Sequence, residues 1–455
     1  MGEAIVGIIL CVVALTIIVV VHEGAHALAA RAVGARVTEL AVGMPFGPRV
    51  FWQSRRSGIR YGATLALLGG YTRITGMAWR PDTRHALALA LLNARGRLDA
   101  EELAQVLDCP ADEGAGLLSD LEQLGSVEGV GADGEPVPSG DEAAWWRTPR
   151  RDALGLTIYD RGHDFSLPGG TAAGAPFFPK QDADEFLRLE VGRTYAGKGL
   201  LARGFVLLAG IAANLLTAIL LIMAFYMFRG VDVVAPDVRE VVAGSQAEQV
   251  GMVVGDVITS VDGTDVSRSY AALDAALRDA RGAGEVDIAF RHAGQEAEQH
   301  GTISLGDEEQ LGVYYGYDQV RLDALTSLEG ALAYAAQTGQ ALLSLFVPAT
   351  SAETLGQVSG IVGVVSVMGQ AAGQGGWAVV TLFAALSLSL AWMNLLPLPP
   401  LDGGKLLIEL IQKALGRPIS LQAQSVVSLM VMLAFTMLFF VLLFQDVGRI
   451  VGGGF

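Results

Sequence analysis

Charged residues are scarce in this chain, which argues against a cytosolic enzyme. Only 17% of the 455 residues are charged and 52% are hydrophobic, whereas soluble domains average about 25% charged residues. Most of the charges are acidic, and a net charge of -16 excludes general nucleic-acid binding because phosphates would be repelled. Cysteine is almost absent, and Cys11 and Cys109 are too few for a disulfide framework or a zinc cluster.

Long apolar segments predict four transmembrane helices. The segments run from Ala4 to about Ala30, from Phe205 to Phe228, from Trp377 to about Pro397, and from Val426 to Phe444. A helix of about 20 residues is enough to cross a bilayer. No basic residue precedes the first segment, which is therefore interpreted as a retained anchor and not as a signal peptide.

The distribution of charge predicts the orientation in the membrane. Residues 31–73 carry seven arginines against Glu39 alone, whereas residues 231–320 carry 17 acidic and 5 basic residues. Because cytoplasmic segments are rich in arginine and lysine, residues 31–204 are expected inside the cell, with the amino terminus and residues 231–320 outside. The semi-apolar stretches within 321–375 contain Gly, Gln and Glu, so amphipathic or re-entrant segments are expected there.

Histidine is rare, and two of the six histidines lie within the first apolar segment in the motif HEGAH. His22 and His26 are four residues apart and share a helix face, so both imidazoles can reach one metal ion at about 2.0–2.1 Å. Glu23 lies between them and can accept a proton from an activated water. A single histidine in a membrane is more often a packing residue, but ionisable side chains at ligand spacing favour a functional site.

A catalytic zinc needs a third protein ligand, and the third apolar segment offers one at its end. The motif NLLPLPPLDGG covers residues 394–404, where prolines break the helix and two glycines allow a close turn. Asp402 in this motif is the candidate ligand; its alternative role is a cap for a helix over residues 403–415. Asn214 of the second segment either lines the cavity of the site or forms a hydrogen bond between helices.

The two motifs together resemble those of the site-2 proteases, which are intramembrane zinc metalloproteases, and most closely the RseP type. The resemblance covers nearly the whole chain except about residues 80–190 and extends to the fragments GGYTRITGM, LLAGIAANLL, VSGIVGV and LLFQDVGRI. It implies that His22, His26 and Asp402 bind Zn2+, that Glu23 is the catalytic base and that Asn394 contacts the substrate backbone. The implied substrate is a single-pass membrane protein such as an anti-sigma factor, cut within the bilayer in regulated intramembrane proteolysis.

Residues 58–76 have β-like runs separated by glycines. A substrate helix must unwind before cleavage, because its amides are bonded internally. An edge strand here can pair with the unwound substrate, which makes Gly69, Gly70 and Tyr71 candidate substrate-binding residues. The alternative is a juxtamembrane loop that only supports the fold.

Two further parts of the sequence predict soluble modules. Residues 231–320 contain GSQAEQVGMVVGDVITSVDGTDV, which resembles the core of a PDZ domain and is expected to be a gate against bulky substrates or else a passive spacer. The helix and strand order of residues 82–147 resembles a winged-helix module, but 14 acidic against 4 basic residues would repel DNA. A cytoplasmic protein partner is therefore expected for it; the alternative is a solvated insertion without a partner.

The expected architecture is a mainly α membrane protein with about four transmembrane helices, a membrane-associated β-element, an extracytoplasmic PDZ-like α/β domain and a cytoplasmic winged-helix-like insertion. It is multi-pass, contacts the lipid bilayer, binds no nucleic acid and lies in the bacterial cytoplasmic membrane. A catalytically idle adaptor that binds protein tails is the alternative, and an ion transporter is a third possibility. The expected segments are 1–79 (HExxH helix and β-region), 80–150 (insertion), 151–198 (linker), 199–230 (second transmembrane helix), 231–320 (PDZ-like), 321–375 (amphipathic or re-entrant) and 376–455 (third and fourth transmembrane helices).

Overall fold

The computed structural model describes residues 2–43, 48–65, 69–137, 143–267, 270–280, 284–305, 311–345, 347 and 358–451. The chain forms two compact units. One unit comprises Met1–Leu221 with Leu332–Phe455, and the other comprises Ile222–Ala331.

The first helix leads into a small mixed sheet. Helix α1 (Gly2–Ala32) ends just before Gly34, which has the left-handed φ of 74° that favours glycine after a helix. The strands are β1 (Val37–Val42), β2 (Arg49–Gln53), β3 (Arg60–Thr64) and β4 (Gly70–Ile74). Their order is β2-β3-β1-β4, with β1 and β3 parallel and the other pairs antiparallel. The glycine-punctuated region thus forms strands, and β4 lies at one edge of the sheet.

Residues 85–147 form three helices and a three-stranded sheet. The elements are α2 (His85–Arg95), β5 (Arg97–Leu98), α3 (Ala100–Leu107), α4 (Ala111–Gln123), β6 (Glu128–Val130) and β7 (Trp145–Arg147), with sheet order β5-β7-β6. Leucines of the three helices pack with Trp146 in one core. A capping box between Asp99 and Glu102 fixes the start of α3.

Residues 151–198, which their Gly, Pro and Asp content predicts to be a linker, are a packed part of the fold. Helix α5 (Ala183–Gly192) places Glu190 in the interior, where Arg36 and Arg151 donate hydrogen bonds to its carboxylate at 2.9 and 3.2 Å. Burial disfavours this charge, but the two guanidinium groups hold the pKa of Glu190 well below its usual value. Arg36 also bonds Asp160 at 2.7 Å, so the ion network joins the start of β1 to this segment.

The chain then continues through helix α6 (Leu200–Ala224), which ends in a π-helical turn over Phe225–Arg229. The second unit is built on a sheet of order β12-β11-β9-β8-β13, in which β10 pairs with β9. Its elements are β8 (Val231–Val241), α7 (Gln246–Gln249), β9 (Val257–Val261), β10 (Thr264–Asp265), α8 (Tyr270–Asp279), β11 (Gly284–Arg291), β12 (Glu298–Leu305) and β13 (Val313–Val320). Ile258, Val286 and Phe290 are among the residues of its apolar core. This unit therefore contains both strands and helices.

The carboxy-terminal part is helical. The helices are α9 (Ala324–Ser344), α10 (Ile361–Gln374), α11 (Gly376–Leu395), α12 (Asp402–Leu415) and α13 (Leu421–Val451). With 14 residues, α10 is about 21 Å long, which is too short to cross a bilayer core of about 30 Å. The buried Asp446 of α13 accepts hydrogen bonds from the backbone of Gly360 and Gly363 and so satisfies the amino end of α10.

Among the residues that the structure describes, four helices are long and apolar enough to cross a membrane. They cover Ala4–Ala32, Leu200–Arg229, Gly376–Leu395 and Gln422–Arg449. These are the four segments predicted from the sequence. The protein is therefore a multi-pass membrane protein of mainly helical structure.

Candidate active site

Two histidines of the first helix and an aspartate far away in the sequence converge between the membrane helices. The Nε2 atoms of His22 and His26 lie 3.2 Å apart on α1. The Oδ2 atom of Asp402, at the start of α12, lies 3.1 Å from the first nitrogen and 3.0 Å from the second. All three side chains are buried. The predicted ligand set is thus brought together in space.

The spacing of these donor atoms fits a zinc ion. Two ligands that are each about 2.0–2.1 Å from a tetrahedral ion lie roughly 3.3 Å from one another. The three observed separations are 3.0–3.2 Å, and both histidines present the same ring nitrogen to the carboxylate. Two imidazoles and one carboxylate are also a typical donor set of a catalytic zinc, which keeps one position open.

The opposite ring nitrogens are held by α6. The Nδ1 of His26 donates to the carbonyl oxygen of Val206 at 2.7 Å, which leaves Nε2 unprotonated and able to bind a metal. The Nδ1 of His22 lies 3.3 Å from the side-chain amide of the buried Asn214, whose Oδ1 has no partner. Rotation of that amide by 180° places Oδ1 on the ring and gives His22 the same metal-binding tautomer.

Gly210, which belongs to the fragment LLAGIAANLL, lies between these two contacts in a role that the sequence does not predict. Val206, Gly210 and Asn214 are spaced by four residues and therefore share one face of α6. A Cβ at Gly210 would collide with the Nε2 of His26 and would lie 2.7 Å from the Cε1 of His22. Only glycine lets α6 approach the two imidazoles this closely.

The broken helix positions Asp402. Helix α11 ends at Leu395 and α12 begins at Asp402, so the intervening prolines form the turn. Asp402 is the first residue of α12, and its Oδ1 accepts from the Nζ of Lys405 at 3.1 Å. The added Cβ of Gly404 would lie 2.6 Å from the carbonyl oxygen of Leu398, so this turn also requires glycine.

Glu23 lies beside the sheet edge. Its side chain is half-buried, and its Cγ lies 3.4 Å from where a Cβ of Gly70 would be. The hydroxyl of Thr72 donates to the backbone carbonyl of Glu23 at 2.8 Å. Strand β4 is therefore attached to α1 next to the predicted base.

The predicted substrate-binding residues occupy two places. Gly70 and Tyr71 begin the edge strand β4 and Gly69 directly precedes it; the Tyr71 hydroxyl donates to Glu39 at 3.3 Å. Asn394 is half-buried in the last turn of α11, and its amide donates to the carbonyl of Leu390 at 3.0 Å. Its hydrogen bond is thus internal to its own helix and not to the histidine and aspartate cluster.

Comparison with known proteins agrees with this geometry. The sequence model of peptidase family M50 matches residues 10–439. A zinc metalloprotease RasP of Bacillus licheniformis is 24% identical over 94% of this chain and 96% of its own, and a regulator of sigma-W protease RasP of Bacillus subtilis is 24% identical over 94% and 95%. A putative zinc metalloprotease of Rhizobium meliloti is 31% identical over 54% of this chain and 72% of its own. The chain therefore belongs to peptidase family M50, the site-2 proteases, and is a zinc metalloprotease.

Proposed function

We propose that this protein hydrolyses a peptide bond in the transmembrane segment of a membrane-tethered regulator, such as an anti-sigma factor. The observation that carries the proposal is the convergence of His22, His26 and Asp402 within a bundle of apolar helices. The name of the Bacillus subtilis relative, a regulator of sigma-W protease, supports this class of substrate.

In this proposal the Nε2 atoms of His22 and His26 and the carboxylate of Asp402 hold the zinc. When bound, zinc supplies a Lewis acid that activates water and polarises the scissile carbonyl. Glu23 accepts one proton from the attacking water and delivers it to the amide nitrogen as the C–N bond breaks. The half-buried position of Glu23, on the turn of α1 that carries both histidines, supports this role.

We infer that β4 receives the unwound substrate. Among the described residues, β4 is the last strand of its sheet and pairs with β1, an arrangement that allows a substrate strand to be added at the edge. Gly70 and Tyr71 lie at the end of β4 nearest to Glu23, and Gly69 directly precedes them. The side-chain amide of Asn394 contacts the substrate backbone after its hydrogen bond to the carbonyl of Leu390 has broken. The alternative is that the sheet does not bind substrate and only supports the fold around α1.

The two further modules determine which proteins reach the site. We propose that residues 231–320 are a PDZ-like domain outside the cytoplasmic membrane that excludes substrates with bulky outer domains. Residues 82–147 are a winged-helix-like module inside the cell, and their acidic surface selects a basic protein partner. The charge distribution along the chain supports this orientation.

The proposal is tested with the variant Glu23→Gln, which keeps the size of the side chain but removes its basicity. Wild type and variant are incubated in detergent with a single-pass regulator, with and without a zinc chelator. We expect the variant to keep its zinc and to lose cleavage, whereas Glu329→Gln, at an exposed position of α9, cleaves like wild type. Equal cleavage by wild type and Glu23→Gln would reject the assigned base. Normal zinc content with no cleavage of any regulator by wild type would favour the adaptor alternative.

A further inference from the structure

Four arginines from three separate segments lie around one open cavity. Arg31 is in the last turn of α1, Arg55 and Arg56 are in the turn between β2 and β3, and Arg161 follows the buried Asp160. We call these four residues the arginine cluster. The cavity has a volume of about 470 Å³ and also contacts His163. Three of the four arginines belong to the arginine-rich segment 31–73.

The arginine cluster is held in part by hydrogen bonds to the backbone. Arg31 donates to the backbone of Ser57 at 3.3 Å and Arg161 to the backbone of Arg31 at 3.2 Å. Among the residues that the structure describes, none of the four arginines forms an ion pair with an acidic side chain.

Two aspartates also line the cavity, and the carboxylate of Asp160 is paired with an arginine outside the cluster. Asp160 accepts from Arg36 at 2.7 Å, and Asp164 accepts from the hydroxyl of Ser166 at 2.6 Å. Asp164 keeps its charge, but within the described part of the chain four guanidinium groups against one carboxylate without a cationic partner leave the cavity with a net positive charge. This charge suits an anion with several oxygens such as a phosphate.

An exposed apolar surface adjoins the arginine cluster. Trp52 lies opposite Tyr61 and Val50 opposite Ala63 in the β2–β3 pairing, so these side chains share one face of the hairpin, together with Leu65. Val50, Trp52 and Leu65 are 79%, 68% and 77% exposed, and the Trp52 and Tyr61 rings stack with centroids 5.9 Å apart. This face ends at the turn that carries Arg55 and Arg56.

We propose that the arginine cluster binds the phosphate of an anionic phospholipid whose acyl chains cover the exposed face of β2 and β3. Two features favour a lipid over free phosphate. The hairpin that carries the apolar face also carries Arg55 and Arg56 in its turn. Arg31 lies in the last turn of a helix long enough to cross the membrane, which places the cluster at the level of the headgroups. Arginines at this depth attract anionic headgroups.

The test uses the full chain in detergent with phosphatidylglycerol or phosphatidylcholine, and native mass spectrometry counts the lipids that stay bound. The cluster variant is Arg55→Gln/Arg56→Gln/Arg161→Gln. The matched control is Arg80→Gln/Arg95→Gln/Arg188→Gln, which removes the same charge at exposed positions outside the cavity. We expect wild type and control to retain phosphatidylglycerol over phosphatidylcholine, and the cluster variant to bind it at least about tenfold more weakly.

A second variant distinguishes loss of lipid binding from misfolding. It keeps Arg161, which also donates a hydrogen bond to the backbone of Arg31. Arg55→Gln/Arg56→Gln changes only the exposed turn and is expected to lose most of the same preference. Retention of phosphatidylglycerol by both cluster variants at the wild-type level would overturn the proposal, as would equal binding of the two lipids by wild type. Displacement of the lipid by millimolar inorganic phosphate would show a free-anion site and would overturn the assignment to a lipid.

Discussion

Gly210 of α6 lies against the ring of His22, so closely that a Cβ at this position would come within 2.9 Å of its Nδ1. The site therefore depends on a residue with no side chain as much as on its ligands. A single methyl group added at position 210 is therefore expected to disturb the site.

Gly210→Ala is expected to displace both imidazoles and to lower cleavage roughly a hundredfold, because misplacement by about 1 Å has effects of that size. Gly204→Ala on the same helix is the control, since its Cβ would meet only Leu406 at the ordinary distance of 3.6 Å. Zinc content and cleavage are measured for both variants. Wild-type values for Gly210→Ala would show that α6 is not held as closely as described.

Asn214 is expected to tune metal affinity through His22. Asn214→Ala removes the partner of the ring nitrogen opposite the metal, and loss of such a partner lowers affinity about 10–100-fold. Thr217→Ala is the control, because the Thr217 hydroxyl donates only to the carbonyl of Ala213 within α6. Competition with a zinc chelator measures both affinities. Equal affinity in the two variants would assign Asn214 to helix packing alone.

The stability of the segment around Glu122 is expected to depend on pH. Burial raises the pKa of Glu122 to about 7, although Trp146 donates a hydrogen bond to it at 2.9 Å. The folded state thus holds a proton that the unfolded state releases near its ordinary pKa. The resulting stabilisation is complete below that ordinary value and is lost as the pH rises to about 7, by up to about 3 kcal/mol.

Hydrogen exchange in residues 111–130 of the full chain, corrected for intrinsic rates, measures this dependence. Wild type is expected to lose protection against hydrogen exchange between about pH 5 and pH 8, the range in which Glu122 titrates. Glu122→Gln keeps an acceptor for Trp146 and is expected to show little change. Parallel pH profiles for the two proteins would contradict a raised pKa at Glu122.

The sequence predicts the centre of the site because its ligands are rare residues in apolar surroundings. His22, Glu23 and His26 at helical spacing, and Asp402 after three prolines, are exceptional within membrane segments. The four helices follow from length and hydropathy alone, and the structure contains each of them.

Other parts of the site have no such signal. Val206 acts through its backbone carbonyl, which any residue carries, and a glycine such as Gly210 has many possible roles in an apolar helix. The Gly, Pro and Asp content of residues 151–198 also predicts a linker, whereas the segment is a packed part of the fold. The contact between Arg36 and Glu190 joins positions 154 residues apart, and no local pattern predicts such a pairing.

X-ray absorption at the zinc edge of the purified protein tests most directly whether His22, His26 and Asp402 hold the metal. We expect a first shell of nitrogen and oxygen at about 2.0–2.1 Å with imidazole scattering from two histidines, and a loss of bound zinc in Asp402→Asn. A sulfur shell at about 2.3 Å, or an unchanged spectrum in Asp402→Asn, would contradict the account.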